Sequence, residues 1–152
     1  MKTDKKEYNG PGIYALINVY NLAVYIGCTR HVITRSKSHY SSLKNNKHPN
    51  KKMQKYYNGG KYRFIVLERL PEEISDFKLH LLERMYIYDF CKRKNYIVCN
   101  REAENIDRLK DLIFFDIFLE YSIRQNTNKA FKNEYGIDTW NMINRKRENR
   151  CD

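Results

Sequence analysis

The chain has 152 residues, of which 41% are hydrophobic, and it carries a formal net charge of +11. This length favours one domain, or one domain with an extension, and the apolar fraction is sufficient for a core, which excludes a disordered chain. No apolar run is long enough to span a membrane, and the first ten residues lack the apolar stretch of a secretory signal.

The positive charge is concentrated in the first two-thirds of the chain. Residues 1–102 hold 20 Lys or Arg against 9 Asp or Glu, whereas residues 103–152 hold 9 of each. No acidic residue occurs between Glu7 and Glu68, a stretch with ten Lys or Arg. A basic solvated surface without a partner is one interpretation, but an acid-free stretch of this length favours a polyanion. An anionic membrane surface is a weaker alternative, because the stretch shows no basic amphipathic helix with bulky apolar anchors.

The cysteines bear on the compartment of the protein. They stand at positions 28, 91, 99 and 151 without a Cys-x-x-Cys pair or a neighbouring histidine cluster, so their spacing predicts neither a zinc site nor a disulfide framework. We therefore expect an intracellular, reducing compartment. The Lys-, Asn-, Ile- and Tyr-rich composition suggests an AT-rich genome such as that of a virus, a phage or a mobile element. For a viral protein the compartment is the cytoplasm or nucleus of the host cell.

In chain order, the apolar pattern predicts two strands, two helices, a third strand and a long helix. Their expected ranges are 12–18 and 22–27 for the hairpin strands, about 31–46 and 48–58 for the helices, 62–68 for the third strand and about 74–93 for the long helix, followed by an extended piece at 96–100. The order β-β-α-α-β-α predicts an α+β domain, in which helices flank a small three-stranded antiparallel sheet.

The C-terminal third has a different character. Residues 105–124 predict a strongly apolar helix, which must pack either on the first domain or on a second copy of the chain as a homodimer. A further helix is predicted at 137–148. We divide the chain into a domain at 10–102 and a helical C-terminal extension at 103–152 whose role the sequence does not indicate.

Three polar residues interrupt predicted apolar helix faces. On the long helix, Glu83 falls among the apolar residues Leu79, Leu82, Tyr86 and Phe90. A carboxylate there requires a partner, either a buried salt bridge or tyrosine hydroxyl, or a bound cation. On the first helix, Arg35 and His39 are four residues apart and share the face of Val32 and Leu43. His39 alone suggests a satisfied core histidine, but Arg, His, Tyr and one carboxylate together are the components of metal-assisted phosphodiester hydrolysis.

The spacing of these residues resembles that of a known family. Gly12-Ile13-Tyr14 followed by Tyr25-Ile26-Gly27 resembles the signature of the GIY-YIG nucleases, and Arg35 and His39 stand at the positions of the family's first helix. The resemblance extends to three further segments and one asparagine, and covers about residues 10–102. These are the segment from His48 to Gln54, which is similar to that of the phage, homing and mobile-element branch, the strand from Phe64 to Glu68, the glutamate helix from Leu82 to Ile87, and Asn100.

The resemblance implies roles for five catalytic residues. Tyr14 would deprotonate the attacking water or relay its proton, Tyr25 would orient water or phosphate, and Arg35 would neutralise the phosphate oxygens. His39 would hold Tyr14 or assist proton transfer. Glu83 would be the one protein ligand of a Mg²⁺ or Mn²⁺ ion, which stabilises the leaving oxygen. A free tyrosine has a pKa near ~10 and is a poor base at neutral pH, so Tyr14 requires nearby positive charge.

The resemblance also implies double-stranded DNA as the partner. Substrate contacts are expected from a set of small, basic and amide residues, namely Gly27, Arg30, Lys37, Lys51, Lys52 and Asn100. Cys28 and Ser36 depart from residues common in the family, but neither removes a group that the chemistry needs. The sequence predicts a metal-dependent DNA endonuclease. The alternatives are a repair or junction-resolving nuclease of the same fold, and a catalytically silent DNA-binding module.

Overall fold

The computed structural model of the chain describes residues 7–57 and 61–127, with side chains described as far as residue 120. The strands are β1 (Gly12–Asn18), β2 (Ala23–Thr29), β3 (Tyr62–Arg69) and β4 (Ile97–Val98). The helices are α1 (Val32–Lys44), α2 (Lys51–Tyr56), α3 (Asp76–Lys92) and α4 (Ile106–Thr127), with a 3₁₀ turn at Arg101–Glu104. The predicted helix at 137–148 lies outside the described residues. The chain divides into two compact units between Lys110 and Asp111, within α4.

The sheet has four strands in the order β3-β1-β2-β4. β1 is central and pairs antiparallel with both β2 and β3, whereas β4 pairs parallel to β2. The α+β class is therefore confirmed, but the sheet is mixed rather than a three-stranded antiparallel one. The additional strand is only two residues long, which is too short for an alternating pattern to identify it.

The hairpin turn is built around the buried Asn18. Its Oδ1 accepts hydrogen bonds from the backbone N–H groups of Tyr20 and Asn21, and its Nδ2 donates to the carbonyl of Tyr56. Leu22 adopts a left-handed φ of 57°, which closes the short link before β2 begins. This turn sets the register of the two strands that carry the tyrosines.

Helix α1 packs on the sheet through the face that its sequence predicts. Val32, His39 and Leu43 are buried at helical spacing. Leu43 belongs to a core cluster that also includes Leu16 of β1 and Met53 of α2. The face therefore carries a buried histidine directly over the sheet.

Helix α3 differs from its predicted orientation. Its buried residues are Leu79, Leu81, Ile87 and Phe90, so the helix is covered on two sides. Glu83 is half-buried, as are the predicted face residues Leu82 and Tyr86. At about 100° per residue, Leu81 lies on the opposite side of the helix from Leu79, whereas Glu83 lies between Leu79 and Ile87 but is only half-buried. This position keeps Glu83 accessible from solvent.

Helix α4 shows both buried and exposed apolar residues. Leu109 in the first unit is 1% exposed, and Ile113 in the second is also buried. Phe114, Phe115 and Phe118 are exposed. Packing of this helix on the first domain or on a second copy stays a prediction. Within the part of the chain that the structure describes, no helix is both long and apolar enough to cross a membrane.

Candidate active site

The register of β1 and β2 brings the two tyrosines to one face of the sheet. Tyr14 lies opposite Gly27, and Leu16 lies opposite Tyr25. Residues two apart on a strand point to the same side, so Tyr25 shares the face of Gly27 and therefore that of Tyr14. Gly27 is required for this arrangement, because a Cβ at that position would collide with the end of the Tyr14 ring. Gly27 and Tyr14 thus pack against each other, with Tyr25 on the same face of the sheet.

Helix α1 supplies the partner of Tyr14. The Tyr14 hydroxyl lies 2.7 Å from Nε2 of His39, and both residues are buried. Nδ1 of His39 lies 2.8 Å from Nε2 of His48, with the two rings stacked at a centroid distance of 5.1 Å. The Tyr25 ring packs against both histidines at centroid distances of 5.6 and 6.1 Å. A continuous hydrogen-bonded chain therefore runs from Tyr14 through two histidines.

The outer end of this chain is held by the backbone of Asn50. The Asn50 N–H lies 3.0 Å from Nδ1 of His48, and the Asn50 carbonyl oxygen lies 3.3 Å from the same nitrogen. If the Asn50 N–H donates to His48, then His48 donates to His39, and His39 donates to the Tyr14 oxygen. If His48 donates to the carbonyl, every bond reverses and the Tyr14 hydroxyl donates to His39. The site accommodates both tautomer sets, as a proton path requires.

Burial controls the protonation of this chain. Burial raises the pKa of Tyr14 well above its ordinary value of 10.0, the neighbouring Tyr25 raises it further, and Arg35 lowers it. Burial also lowers the pKa of His39 to about 4, with smaller contributions from His48 and Arg35. The pKa of His48 is lowered, mainly by burial. At neutral pH the tyrosine is protonated and both histidines are neutral, so a stable phenolate is not available and neutral His39 is free to accept a proton.

Arg35 lies beside the tyrosines without a fixed partner. Its positive charge lowers the pKa values of Tyr14 and Tyr25, which places the guanidinium close to both. The side chain is exposed rather than buried on the predicted α1 face. The Arg35 guanidinium forms no hydrogen bond or ion pair with any described residue. Its donors are therefore available to an anionic ligand.

Glu83 faces the same region from α3. Its negative charge raises the pKa of Tyr25, second only to burial. Among the described residues, no tyrosine hydroxyl or ion-pair partner of Glu83 is found; the carboxylate lies instead beside the Cys28 thiol, whose pKa it helps to raise. His80 lies one turn before it on α3. The donor atoms of Cys28, His80 and Glu83 all lie within 4.8 Å of one another and form a candidate cation site.

Two of the predicted substrate-binding residues are engaged by the protein itself. Nη2 of Arg30 lies 2.6 Å from both Oδ1 of Asp76 and the carbonyl of Ile74. The buried Asn100 side chain accepts from the Ile26 N–H at 2.9 Å and donates to the Ile26 carbonyl at 2.7 Å. Asn100 thus fixes the YIG strand, and Arg30 joins the end of that strand to α3.

The three lysines predicted to bind substrate have different surroundings. Lys37 lines a cleft of about 350 Å³ together with Ser36 and Arg69. Lys51 is exposed, and Nζ of Lys52 lies 3.3 Å from the carbonyl oxygen of Val98. Substrate binding by these lysines, by Arg30 and by Gly27 stays a prediction.

Sequence reasoning did not assign a role to His48 or His80. The sequence did contain a signal for His48, because it opens the His-Pro-Asn segment before α2, where an apolar helix face does not require a histidine. His80 carried none, because its approach to Cys28 depends on how α3 crosses β2, 52 residues away along the chain.

Comparison with known proteins bears on the fold. No protein-family profile and no curated protein sequence matches the chain. The catalytic domain of the homing endonuclease I-TevI matches in structure with 23% identity and a TM-score of 0.51, over 58% of this chain and 96% of that one. A mutant of the catalytic domain of the intron endonuclease I-TevI matches with 24% identity and a TM-score of 0.50, over 57% and 89%. At this identity the likeness establishes the fold, and the chain therefore contains a domain with the GIY-YIG nuclease fold.

Proposed function

We propose that the protein is a metal-dependent DNA endonuclease that hydrolyses phosphodiester bonds by tyrosine-assisted attack of water. The observation that carries this proposal is the gathering of a buried Tyr14–His39–His48 chain, an unpaired Arg35 and the Glu83 carboxylate at one site. The fold shared with a homing endonuclease catalytic domain supports the same class of reaction. The acid-free basic stretch between Glu7 and Glu68 supports double-stranded DNA as the substrate.

Proton transfer from the attacking water begins at Tyr14. As the water oxygen bonds to phosphorus, its proton passes to the Tyr14 oxygen while the Tyr14 hydroxyl proton passes to Nε2 of His39. His39 releases its Nδ1 proton to Nε2 of His48, so the positive charge ends on His48. This concerted path avoids a free phenolate, which burial of Tyr14 makes inaccessible.

Arg35 couples substrate binding to this transfer. In the free protein its charge lowers the pKa values of both His39 and His48 and so opposes protonation of the histidines. A bound phosphate would neutralise the guanidinium and remove that opposition. The same guanidinium would then stabilise the extra negative charge that develops on the phosphate oxygens. Binding of DNA therefore prepares the histidines to accept the proton.

Glu83 is the residue suited to hold the metal ion. Its half-buried, solvent-accessible carboxylate provides the hard oxygen donor that Mg²⁺ and Mn²⁺ prefer. When bound, one such ion would stabilise the leaving 3′ oxygen, giving 3′-hydroxyl and 5′-phosphate ends. The bond between phosphorus and the 3′ oxygen breaks, and that oxygen takes a proton from solvent.

A plasmid-nicking assay with end mapping tests this function. Supercoiled plasmid incubated with the protein and Mg²⁺ should be nicked, and chelation of the metal with EDTA should stop the reaction. Structured DNA substrates included in the same series separate a junction-resolving nuclease from one that cuts plain duplex. Retention of the plasmid in gel-shift assays without nicking in either Mg²⁺ or Mn²⁺ would instead establish a catalytically silent DNA-binding module.

A further inference from the structure

A sulfur and an imidazole donor lie directly beside the Glu83 carboxylate. Cys28 stands near the end of β2, and its Sγ lies 3.5 Å from Nδ1 of His80 on α3. His80 and Glu83 are three residues apart, so they share one face of the helix. All three donor atoms lie within 4.8 Å of one another, and His80 is exposed, which leaves the cluster open to solvent.

This donor set does not match the cation that the proposed nuclease reaction requires. Mg²⁺ is held by oxygen atoms in near-octahedral geometry and does not favour a thiolate or an imidazole. Zn²⁺ is held by thiolate, imidazole and carboxylate in tetrahedral sites, where neighbouring ligand atoms are about 3.5 Å apart. The Cys28–His80 pair already has this separation. A modest movement of the solvent-accessible Glu83 side chain would complete a three-ligand site.

We propose that Cys28, His80 and Glu83 form a binding site for a thiophilic divalent cation, best matched by Zn²⁺, and that its occupancy withdraws Glu83 from Mg²⁺ and inhibits DNA cleavage. Cation binding is independent of the proposed nuclease function, whereas the inhibition rests on it. The inhibition follows because one carboxylate cannot serve both ions in their different geometries. The bound ion would therefore act as a regulator of the site rather than as its catalytic metal.

Binding at this site must release a proton. A cysteine thiol is ordinarily protonated at neutral pH. Zn²⁺ takes the thiolate, so the thiol proton leaves to solvent as the Zn–S bond forms. Affinity should accordingly rise with pH, and binding should acidify a weakly buffered solution by about one proton per ion.

Cobalt substitution tests the cation site without any enzymatic readout. Co²⁺ added to the reduced full-length chain should give a thiolate-to-cobalt charge-transfer band in the near ultraviolet, which Zn²⁺ should then displace. Cys91→Ser removes a half-buried thiol elsewhere on the chain and should keep the band, whereas Cys28→Ser should lose it. His80→Gln alters an exposed side chain and should weaken Zn²⁺ binding at least ~10-fold, since even outer-shell partners contribute that much. If the charge-transfer band is absent, or if it persists in Cys28→Ser, the proposed cation site is wrong.

A cleavage assay tests whether the bound cation inhibits DNA cleavage. For each variant, the nicking rate in Mg²⁺ with micromolar Zn²⁺ is divided by that variant's own rate without Zn²⁺. Wild type and Cys91→Ser should be inhibited, and Cys28→Ser and His80→Gln should be markedly less sensitive. A site confirmed by cobalt whose occupancy leaves nicking unchanged would overturn the inhibition. If no variant nicks DNA in Mg²⁺, the proposed nuclease function has failed while the cobalt result still decides the cation site.

Discussion

The Tyr14 hydroxyl lies 2.7 Å from Nε2 of His39, and both groups are withdrawn from solvent. β1 places the tyrosine opposite a glycine, and α1 lays the histidine over the same face of the sheet. Burial moves the two pKa values apart, upward for the phenol and downward for the imidazole. The pair therefore rests with the proton on oxygen and a neutral imidazole beside it, which is the starting state for proton transfer away from an attacking water.

Replacement of Tyr14 by phenylalanine should separate chemistry from folding. The ring keeps its stacking on Phe64, at a centroid distance of 4.7 Å, so the domain should remain folded. Loss of the hydroxyl removes the first proton acceptor, and the single-turnover cleavage rate should fall at least ~10²-fold with DNA affinity retained. Urea denaturation should show a loss of about 1–3 kcal/mol, since His39 loses a buried partner. A cleavage rate close to that of wild type would remove Tyr14 from the reaction.

His48→Gln tests whether the proton continues beyond His39. A glutamine amide can still hydrogen-bond to His39 but cannot take up a proton, so the orientation of His39 is kept while the path is interrupted. We expect a fall in the single-turnover rate of about tenfold, less than the ~10²-fold contributed by a direct acid–base group. His31→Gln, at an exposed histidine, serves as the control. Equal rates for the two variants would confine the role of His48 to packing.

The buried histidines should make the fold sensitive to mild acid. His39 titrates near 6.5 when unfolded but at about 4 when folded, so the unfolded state binds more protons in this window. The free energy of unfolding should therefore fall as pH drops from 6.5 to 4, by on the order of 3 kcal/mol from His39 and further from His48, whose pKa is also lowered. Tyr14, Tyr25 and Arg35 face the pair from neighbouring elements, and Tyr14 and Tyr25 stay protonated throughout this range.

Urea unfolding curves at several pH values measure this dependence. His39→Asn removes the group and should flatten the curve between pH 6.5 and 4 relative to wild type. Arg30 holds the pKa of Asp76 low, so protonation of Asp76 lowers the free energy of unfolding only at more acidic pH. An unchanged slope in His39→Asn would show that His39 does not titrate as its burial requires.

Arg35→Lys distinguishes a transition-state contact from simple charge attraction. Lysine retains the positive charge but loses the planar fork that contacts two phosphate oxygens together. Removal of one transition-state donor typically costs at least ~10²-fold, so the single-turnover rate should fall by this amount with little change in DNA affinity. A comparable loss in affinity with an unchanged rate would make Arg35 a phosphate anchor instead.

The sequence predicted most of the domain because its signals are local. Hairpin alternation and the spacing of Arg35 and His39 each depend on neighbouring residues. The extended piece at 96–100 was predicted, but not its place in the sheet as β4, because two residues establish no period and the pairing depends on the N–H groups of Ile97 and Cys99 donating to the carbonyls of Leu22 and Val24. The helical periodicity predicted a single buried face for α3, whereas Leu81 is buried on a second face. Contacts between distant segments, such as His39 with His48 or Cys28 with His80, follow only from the packed fold.

The single-turnover cleavage rate of Glu83→Gln, measured beside its DNA affinity, tests the central claim most directly. Glutamine keeps the size of the side chain but removes the negative charge that a Mg²⁺ ligand requires. We predict that wild type nicks DNA in Mg²⁺, that Glu83→Gln does not, and that the variant binds DNA at least as tightly because a charge repelling phosphate is gone. Nicking by Glu83→Gln at a rate close to that of wild type would contradict a metal-dependent nuclease site at Glu83.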